Sequence, residues 1–235
     1  MLGLGLSLNK ANTPSAAYSN TYSLELDGVN DYSANTNPID IGGNQITSFM
    51  WLKPGTMSIT TGLYNLDDFA GLAFFKFFTM YQLYLYHGQG TYSRWDNCVI
   101  PDGSWTNLVI YYDRTNPAND KLWKNGINQG PPDNITGTTY GTESVNVELG
   151  QMIGWTNFDG KIDEFAIFEG DVSSSLATLV GDNWNSSFDL SSESPKHWWR
   201  MGDSDGGAGS TITNDGSESV TQTLYAGASI VEDSF

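Results

Sequence analysis

Apolar residues in this sequence recur at every second position, in runs of strand length, and turn-forming residues end nearly every run. Tyr22, Leu24 and Leu26 alternate with Ser23, Glu25 and Asp27 before the turn residues Gly28 and Asn30. Residues 46–52 read as a second strand, stopped by Pro54-Gly55. Residues 71–78 and 80–87 are rich in Phe, Tyr and Leu and predict two long core strands, and residues 105–112 predict another. Residues 121–124 and 127–129 flank Asn125-Gly126, the pair that suits a two-residue hairpin because both positions need positive φ. Residues 145–149 and 161–168 complete the strands, and only 174–180 reads as a helix, with Ser173 as its cap and Gly181 as its stop. Many short strands with one minor helix predict an all-β fold, a sandwich or a barrel, and the single polar face favours antiparallel sheets. The 235 residues fit a single such domain without an internal repeat.

The two ends depart from this pattern. Leu2, Leu4, Leu6 and Leu8 alternate with Gly3, Gly5 and Ser7 over a stretch too short to be stable alone. They predict an extended N-terminal arm that adds to a sheet edge of its own domain or of a neighbour. Residues 11–17 serve as its linker, so the expected division is an arm and linker over 1–17 and one β domain over 18–235. The opening residues have neither a basic region nor a long apolar region, so no signal peptide is expected. From Met201 onward there is no Lys or Arg, and the composition alone suits disorder. Ile212, Val220, Leu224, Tyr225, Ile230 and Val231 nevertheless fall at strand-like intervals, and ordered extended structure is expected there.

Lys plus Arg number 10 against 27 Asp plus Glu, a formal net charge of −17. Nucleic acid is therefore not an expected partner, because phosphates need clustered cations. An anionic membrane surface is disfavoured for the same reason. The longest apolar candidate for a span, Phe69 to Tyr86, carries Lys76 and alternates too strongly. An acidic surface suits divalent cations or basic partners. Cys98 is the one cysteine, which excludes an internal disulfide, and it reads as a small buried hydrophobe. His87 and His197 have no third ligand at metal spacing and read as surface or strand-end histidines. Glycan binding needs exposed aromatic rings beside amides or carboxylates. Tyr92, Trp95, Asp96 and Asn97 in one loop-like stretch, and Trp155 with Asn157 in another, are the candidates. A core or interface place is the alternative for Trp95 and Trp155. Trp51, Trp105, Trp123, Trp198 and Trp199 sit in strand patterns and read as core. Asn134-Ile135-Thr136 and Asn185-Ser186-Ser187 match glycosylation sequons, which count for little without an export signal.

Several segments carry a family resemblance. YSLELDGVNDY at 22–32, ITSFMWLKP at 46–54, WTNLVIYYDRTNPANDKLWKNG at 105–126 and FDGKIDEFAIFEGDVS at 158–173 resemble strands of laminin-G-like, concanavalin A-like lectin/glucanase jelly rolls. HWWRMGDSDGGAGSTITNDG at 197–216 is similar to the segment that usually leads this family, so residues 197–235 look like a circularly permuted leader. The resemblance implies a fold shared by lectins, hydrolases and adhesion modules, and so fixes no function. Its glucanases use a Glu-x-Asp-x-x-Glu strand; here Lys161 and Ala166 stand where the two glutamates should be around Asp163, so no catalytic residues and no enzyme are expected. The resemblance also implies a structural calcium ion where the opening and closing strands meet, at Asp27, Asp31 and Asp163, although Asp27 and Asp31 equally suit an Asx turn. Permuted domains of this kind with a Gly-Leu-rich start resemble virion proteins of tailed bacteriophages. That implies a non-enzymatic structural protein of the virion surface, a head decoration, fibre or other surface component, with weak binding of cell-surface glycans. Its implied partners are other virion proteins and copies of itself in a homo-oligomer, a trimer being one expectation. The alternative is a calcium-dependent extracellular carbohydrate-binding or adhesion module, and a divergent glucan hydrolase ranks third.

Overall fold

Two-residue alternation gives each strand one apolar face, and two sheets bury those faces against each other. A computed structural model describes residues 19–41, 43–56, 60–66, 70–77, 80–88, 90–137, 144–183 and 189–235. Leu2, Leu4, Leu6 and Leu8, the linker at 11–17 and the sequon at Asn185 lie outside the described residues. In chain order the described strands are β1 (Tyr22–Asp27), β2 (Tyr32–Asn35), β3 (Ile39–Asp40), β4 (Gln45–Pro54), β5 (Thr60–Leu66), β6 (Ala70–Phe77), β7 (Met80–Gly88), β8 (Thr91–Asp96), β9 (Thr106–Asp113), β10 (Lys121–Lys124), β11 (Ile127–Asn128), β12 (Asn134–Thr136), β13 (Ser144–Val145), β14 (Val147–Leu149), β15 (Asp159–Glu169), β16 (His197–Trp199), β17 (Thr211–Ile212), β18 (Gln222–Tyr225) and β19 (Ser229–Glu232). One α-helix, α1 (Ser173–Asn183), lies between β15 and β16.

The first sheet runs β11-β10-β9-β4-β15-β1-β19, and the second runs β12-β8-β7-β6-β5-β14-β2-β18-β17. Their ladders are antiparallel. β16 also pairs with β15, on the edge that β1 uses: β1 takes Asp159–Ile162 and β16 takes Phe165–Ile167. The two lie end to end, and a β-bulge between Asp163 and Ala166 marks their junction. Leu24, Ile110, Leu122, Phe165 and Trp199 of the first sheet meet Leu72, Phe74, Leu83, Leu85 and Trp95 of the second in the main core. Each such side chain contributes roughly 1.5–3 kcal/mol of apolar burial. A second core lies on the opposite face of the first sheet, where Leu176, Ala177 and Val180 of α1 cover Phe49, Val109, Trp123 and Phe168. Among the described residues, no such helix covers the outer face of the second sheet.

The elements follow the expected pattern with local corrections. α1 runs past Gly181 to Asn183 instead of stopping there. The reason is packing: a Cβ on Gly126 would lie 2.9–3.0 Å from backbone atoms of Gly181 and from the Ala177 carbonyl, so the Asn125-Gly126 hairpin presses directly on the helix. Asn125 and Gly126 have φ of 51° and 74°, as a type I′ turn requires. The stretch 145–149 is divided into β13 and β14, and of 92–97, read as loop-like, all but Asn97 belongs to the regular strand β8. The Gly- and Ser-rich tail supplies β17, β18 and β19 to both sheets. His87 and His197 stand near strand ends but are buried, not on the surface, and Trp105 is only partly buried. Cys98 is buried as expected, and burial pushes its thiol up to about 11. No helix among the described residues is long and apolar enough to cross a membrane.

Candidate functional site

The outer face of the second sheet carries a cluster of aromatic rings. On β7, Leu83 and Leu85 turn into the core, so Tyr84 and Tyr86 face outward. On β8, Ser93 and Trp95 turn inward, so Tyr92, Arg94 and Asp96 face outward. The register sets Tyr86 opposite Tyr92, Tyr84 opposite Arg94, and Gln82 opposite Asp96. Ring centroids are 5.8 Å apart for Tyr84 and Tyr86, 5.1 Å for Tyr84 and Tyr92, and 5.6 Å for Tyr86 and Tyr92. Trp155 joins them from the turn between β14 and β15, 5.9 Å from Tyr84 and 5.8 Å from Tyr86. Gly62 seats that turn. Its N–H donates to the Thr156 carbonyl at 2.8 Å, and any Cβ there would lie 2.5 Å from the Met152 nitrogen.

A polar rim borders the rings. Arg94 engages Asp96 through Nε at 2.9 Å and Nη2 at 3.1 Å, Gln82 Nε2 donates to Asp96 Oδ1 at 2.6 Å, and the Tyr84 hydroxyl donates to Gln82 Oε1 at 2.9 Å. Burial is the main cause that raises the Tyr84 phenol, and burial followed by its two tyrosine neighbours pushes Tyr86 up to about 12. Both therefore stay neutral near pH 7 and can donate and accept hydrogen bonds. The arrangement is an apolar, half-buried aromatic plate edged by groups that bind hydroxyls. A few fixed polar atoms beside apolar area give orientation and specificity to a small-molecule ligand.

Of the residues expected to bind a glycan, the structure brings three together. Tyr92 and Trp155 are on the plate and Asp96 is in its rim. Trp95 is corrected: it is 1% exposed, with its indole N–H on the Gly130 carbonyl at 3.1 Å, because strand parity points it into the core. Asn97 sits exposed in a left-handed turn beyond β8, with φ of 59°. Asn157 reaches away from the rings, its Nδ2 donating to the Asp31 carbonyl at 3.4 Å. Tyr84, Tyr86, Gln82 and Arg94 were missed. The signal was the alternation of Leu83 and Leu85 with Tyr84 and Tyr86, which fixes which ring faces out.

The expected metal set is also corrected. Asp27 pairs across strands with Asp159, four residues before Asp163 on the same face of β15, about 13 Å along the strand. Asp27 Oδ1 accepts the Val29 N–H at 2.8 Å, which lowers its carboxyl, and Asp31 accepts the N–H groups of Asp27 at 3.2 Å and Gly227 at 2.7 Å. This corner is an Asx turn satisfied by backbone. Asp163 lies instead at the bulge, where Asp163, Glu164 and Asp203 each place a carboxylate oxygen within 4.8 Å of the others. Glu164 has φ of 51° and is buried, as is Asp163. Asp163 Oδ1 accepts the Glu164 N–H at 2.8 Å, and Oδ2 has no hydrogen-bond partner. Arg200 lies 3.4 Å from Glu164 and 3.6 Å from Asp203, and Trp198 Nε1 donates to Glu164. Burial first, and then the charge of Glu164, hold the Asp163 carboxyl well above the usual range, with the Asn20 amide alongside. One guanidinium among three carboxylates leaves the cluster short of positive charge. An all-oxygen anionic set with an unsatisfied buried oxygen fits a hard cation such as calcium.

The main core holds one further polar group that the sequence did not suggest. Asp120 Oδ2 accepts the Ser93 hydroxyl at 2.5 Å and lies 2.7 Å from His87 Nε2, all three side chains being buried. This is not nucleophile chemistry: the serine proton already points at the carboxylate, and the histidine nitrogen nearest the serine is the one bound to Asp120. The group ties β7 and β8, beneath the plate, to the 3₁₀ turn at Pro117–Asn119.

The sequence profile described as the concanavalin A-like lectin/glucanases superfamily matches residues 27–176. No curated protein matches the chain. Among solved structures, a protein of Bacteroides ovatus described as a candidate carbohydrate-binding protein superposes with a TM-score of 0.64 at 13% identity, over 92% of this chain and 60% of its own. The native heptameric SAP-like pentraxin of Limulus polyphemus gives 0.57 at 14% identity, over 68% of this chain and 82% of its own. Domain 4 of an extracellular arabinanase of Geobacillus stearothermophilus, solved with arabinotriose, gives 0.51 at 20% identity, over 68% of this chain and 76% of its own.

Proposed function

This chain belongs to the concanavalin A-like lectin/glucanase superfamily, and we propose that it is a non-enzymatic module that binds a glycan on the outer face of its second sheet. The plate of Tyr84, Tyr86, Tyr92 and Trp155 carries this reading, because sugar rings offer flat C–H faces to aromatic rings and hydroxyls to a rim such as Gln82, Arg94 and Asp96. Two structures of the same fold, the Bacteroides ovatus protein described as carbohydrate-binding and the arabinanase domain solved with arabinotriose, support a sugar as the ligand. Hydrolysis is disfavoured by spacing. The carboxylates on the described strands of that sheet, Asp96 on β8 and Glu148 on β14, lie four strand spacings or ~19 Å apart, whereas glycosidases need them about 5–9.5 Å apart, and Asp133 beside Asp96 is engaged by the Asp96 N–H at 2.8 Å. The test is binding of Tyr86→Ala and Trp155→Ala on a glycan array and by calorimetry. Each is expected to lose about tenfold or more in affinity while melting near the parent temperature. Parent-like binding by both variants contradicts the plate.

The acid cluster supports a second element of the reading, dependence on calcium. Asp163, Glu164 and Asp203 would hold the ion, with Asn20 alongside. Bound there, the ion supplies charge that lets three carboxylates share one junction. Its signature is a melting temperature that rises with added calcium.

The setting we propose is the surface of a tailed-bacteriophage virion, as a head decoration, fibre or other surface protein. That rests on the resemblance of the permuted domain and on the leucine arm. The arm would strap onto a neighbouring sheet edge and so make the protein a homo-oligomer.

A further inference from the structure

The outer face of the second sheet carries a second aromatic pair, four strands away from the plate. Tyr32 of β2 and Tyr225 of β18 are cross-strand partners whose rings stack with centroids 4.7 Å apart and planes 10° apart. Beside them is a groove of about 330 Å³ lined by Tyr32, Ala34, Asn146, Glu148 and Tyr225. The register links this groove to the plate. Reading across the sheet, Tyr92 stands opposite Tyr86, Tyr86 opposite Gly71, Gly71 opposite Asn65, Asn65 opposite Glu148, and Glu148 opposite Ala34. By strand parity all lie on the outward face, with Gly71, Asn65 and Ala34 buried along its floor, so one row of positions crosses from the plate to the tyrosine pair. The row spans five strand spacings, ~24 Å, enough for several linked sugars. Small Gly71 and Ala34 keep its floor low.

The two ends of the row differ in charge. At the plate, Asp96 is neutralised by the two-pronged contact of Arg94. At the other end, Glu148 accepts the Asn65 amide at 3.0 Å, and no cation forms an ion pair with it among the described residues. A carboxylate beside two phenol rings, whose faces carry negative potential, favours a positive group. Resting on the reading of the plate as a glycan site, we infer that Tyr32, Tyr225 and Glu148 form a second subsite, specific for an amine-bearing sugar within an extended chain. The ammonium of one unit would sit against the Glu148 carboxylate and the ring faces while other units of the same chain stack on the plate.

The experiment compares hexasaccharides of glucosamine, N-acetylglucosamine and glucose by calorimetry, at a pH where the free amine is charged. The full chain, Glu148→Gln and Tyr86→Ala are measured with each. Gln keeps an acceptor for Asn65 and removes only the charge. The parent is expected to bind the glucosamine hexamer about tenfold more tightly than the neutral ones, and Glu148→Gln to erase that preference without weakening neutral binding. Equal affinities for all three in the parent overturn the inference and leave the plate standing, provided Tyr86→Ala weakens them. A preference that survives in Glu148→Gln also overturns it, because general attraction to an acidic surface then explains it. Absence of binding to any hexamer overturns both readings.

Discussion

Trp95 and Trp155 have the same ring and opposite tasks, and the difference is solvent. Trp95 is 1% exposed in the main core, so its truncation leaves a cavity, and Trp95→Ala is expected to cost about 3–5 kcal/mol in urea unfolding. Trp155 touches Tyr84 and Tyr86 on an open face, so Trp155→Ala is expected to cost about 1 kcal/mol or less and to fall mainly on binding. The opposite order of the two losses contradicts both assignments. The sequence told these residues apart poorly. Arg94, Asp96 and Asn97 make 92–97 look like a loop, and only the parity of β8, set by its pairing with β7, sends Trp95 inward and Tyr92 outward. His87 and His197 misled for a related reason. A histidine looks polar in a list of residues, but each of these has a partner supplied by a distant segment, Asp120 for the one and the Asp40 carbonyl and Asn214 for the other.

Among the elements, β15 concentrates the strain. Its period-two pattern was legible over 161–168, but a bulge adds one residue without changing the composition, so the left-handed Glu164 was not. A non-glycine residue held there costs about 1–3 kcal/mol. Nor was the company of Asp163 legible, since Asp203 returns from forty residues further on. The bulge makes a pH prediction. Asp163 has a folded pKa raised above its unfolded one, so its favourable contribution is complete below the unfolded value near 4 and is lost as pH rises through the folded value. Asp163→Asn, which has no charge to bury beside Glu164, is therefore expected to melt above the parent in chelator at pH 7. That advantage should vanish on acidification towards pH 4. Calcium at a hundred times its dissociation constant should stabilise the parent at pH 7 by about 2.7 kcal/mol and leave Asp163→Asn unmoved. A parent melting temperature indifferent to calcium and to Asp163→Asn, from neutral to acid pH, removes the cation site.

For the whole molecule, the sandwich and its antiparallel sheets were the most legible part, because alternation and turn chemistry repeat along most of the chain. The tail was less so: its composition argued for disorder, and its spaced apolar residues enter the sheets through partners distant in sequence, β19 on β1 and β18 on β2, with β17 added on β18. The expected assembly through residues 1–17 belongs at this scale. Light scattering of the full chain and of a version lacking them should give an oligomer and a folded monomer respectively; equal masses set the arm aside. The described chain enters and leaves at one corner. The Ser234 hydroxyl donates to the Asn20 carbonyl at 3.1 Å, Tyr22 stands opposite Glu232, Lys53 and Lys161 grip Asp233, and Phe235 stacks on Trp51 at 4.0 Å. Tension applied through both of these ends therefore meets the β1–β19 ladder from one side. Its hydrogen bonds bear the load one after another, as in a zipper, instead of all together as in shear. Tethered at that corner, the sandwich would open from its last strand inward, at low force and with most of both sheets still closed.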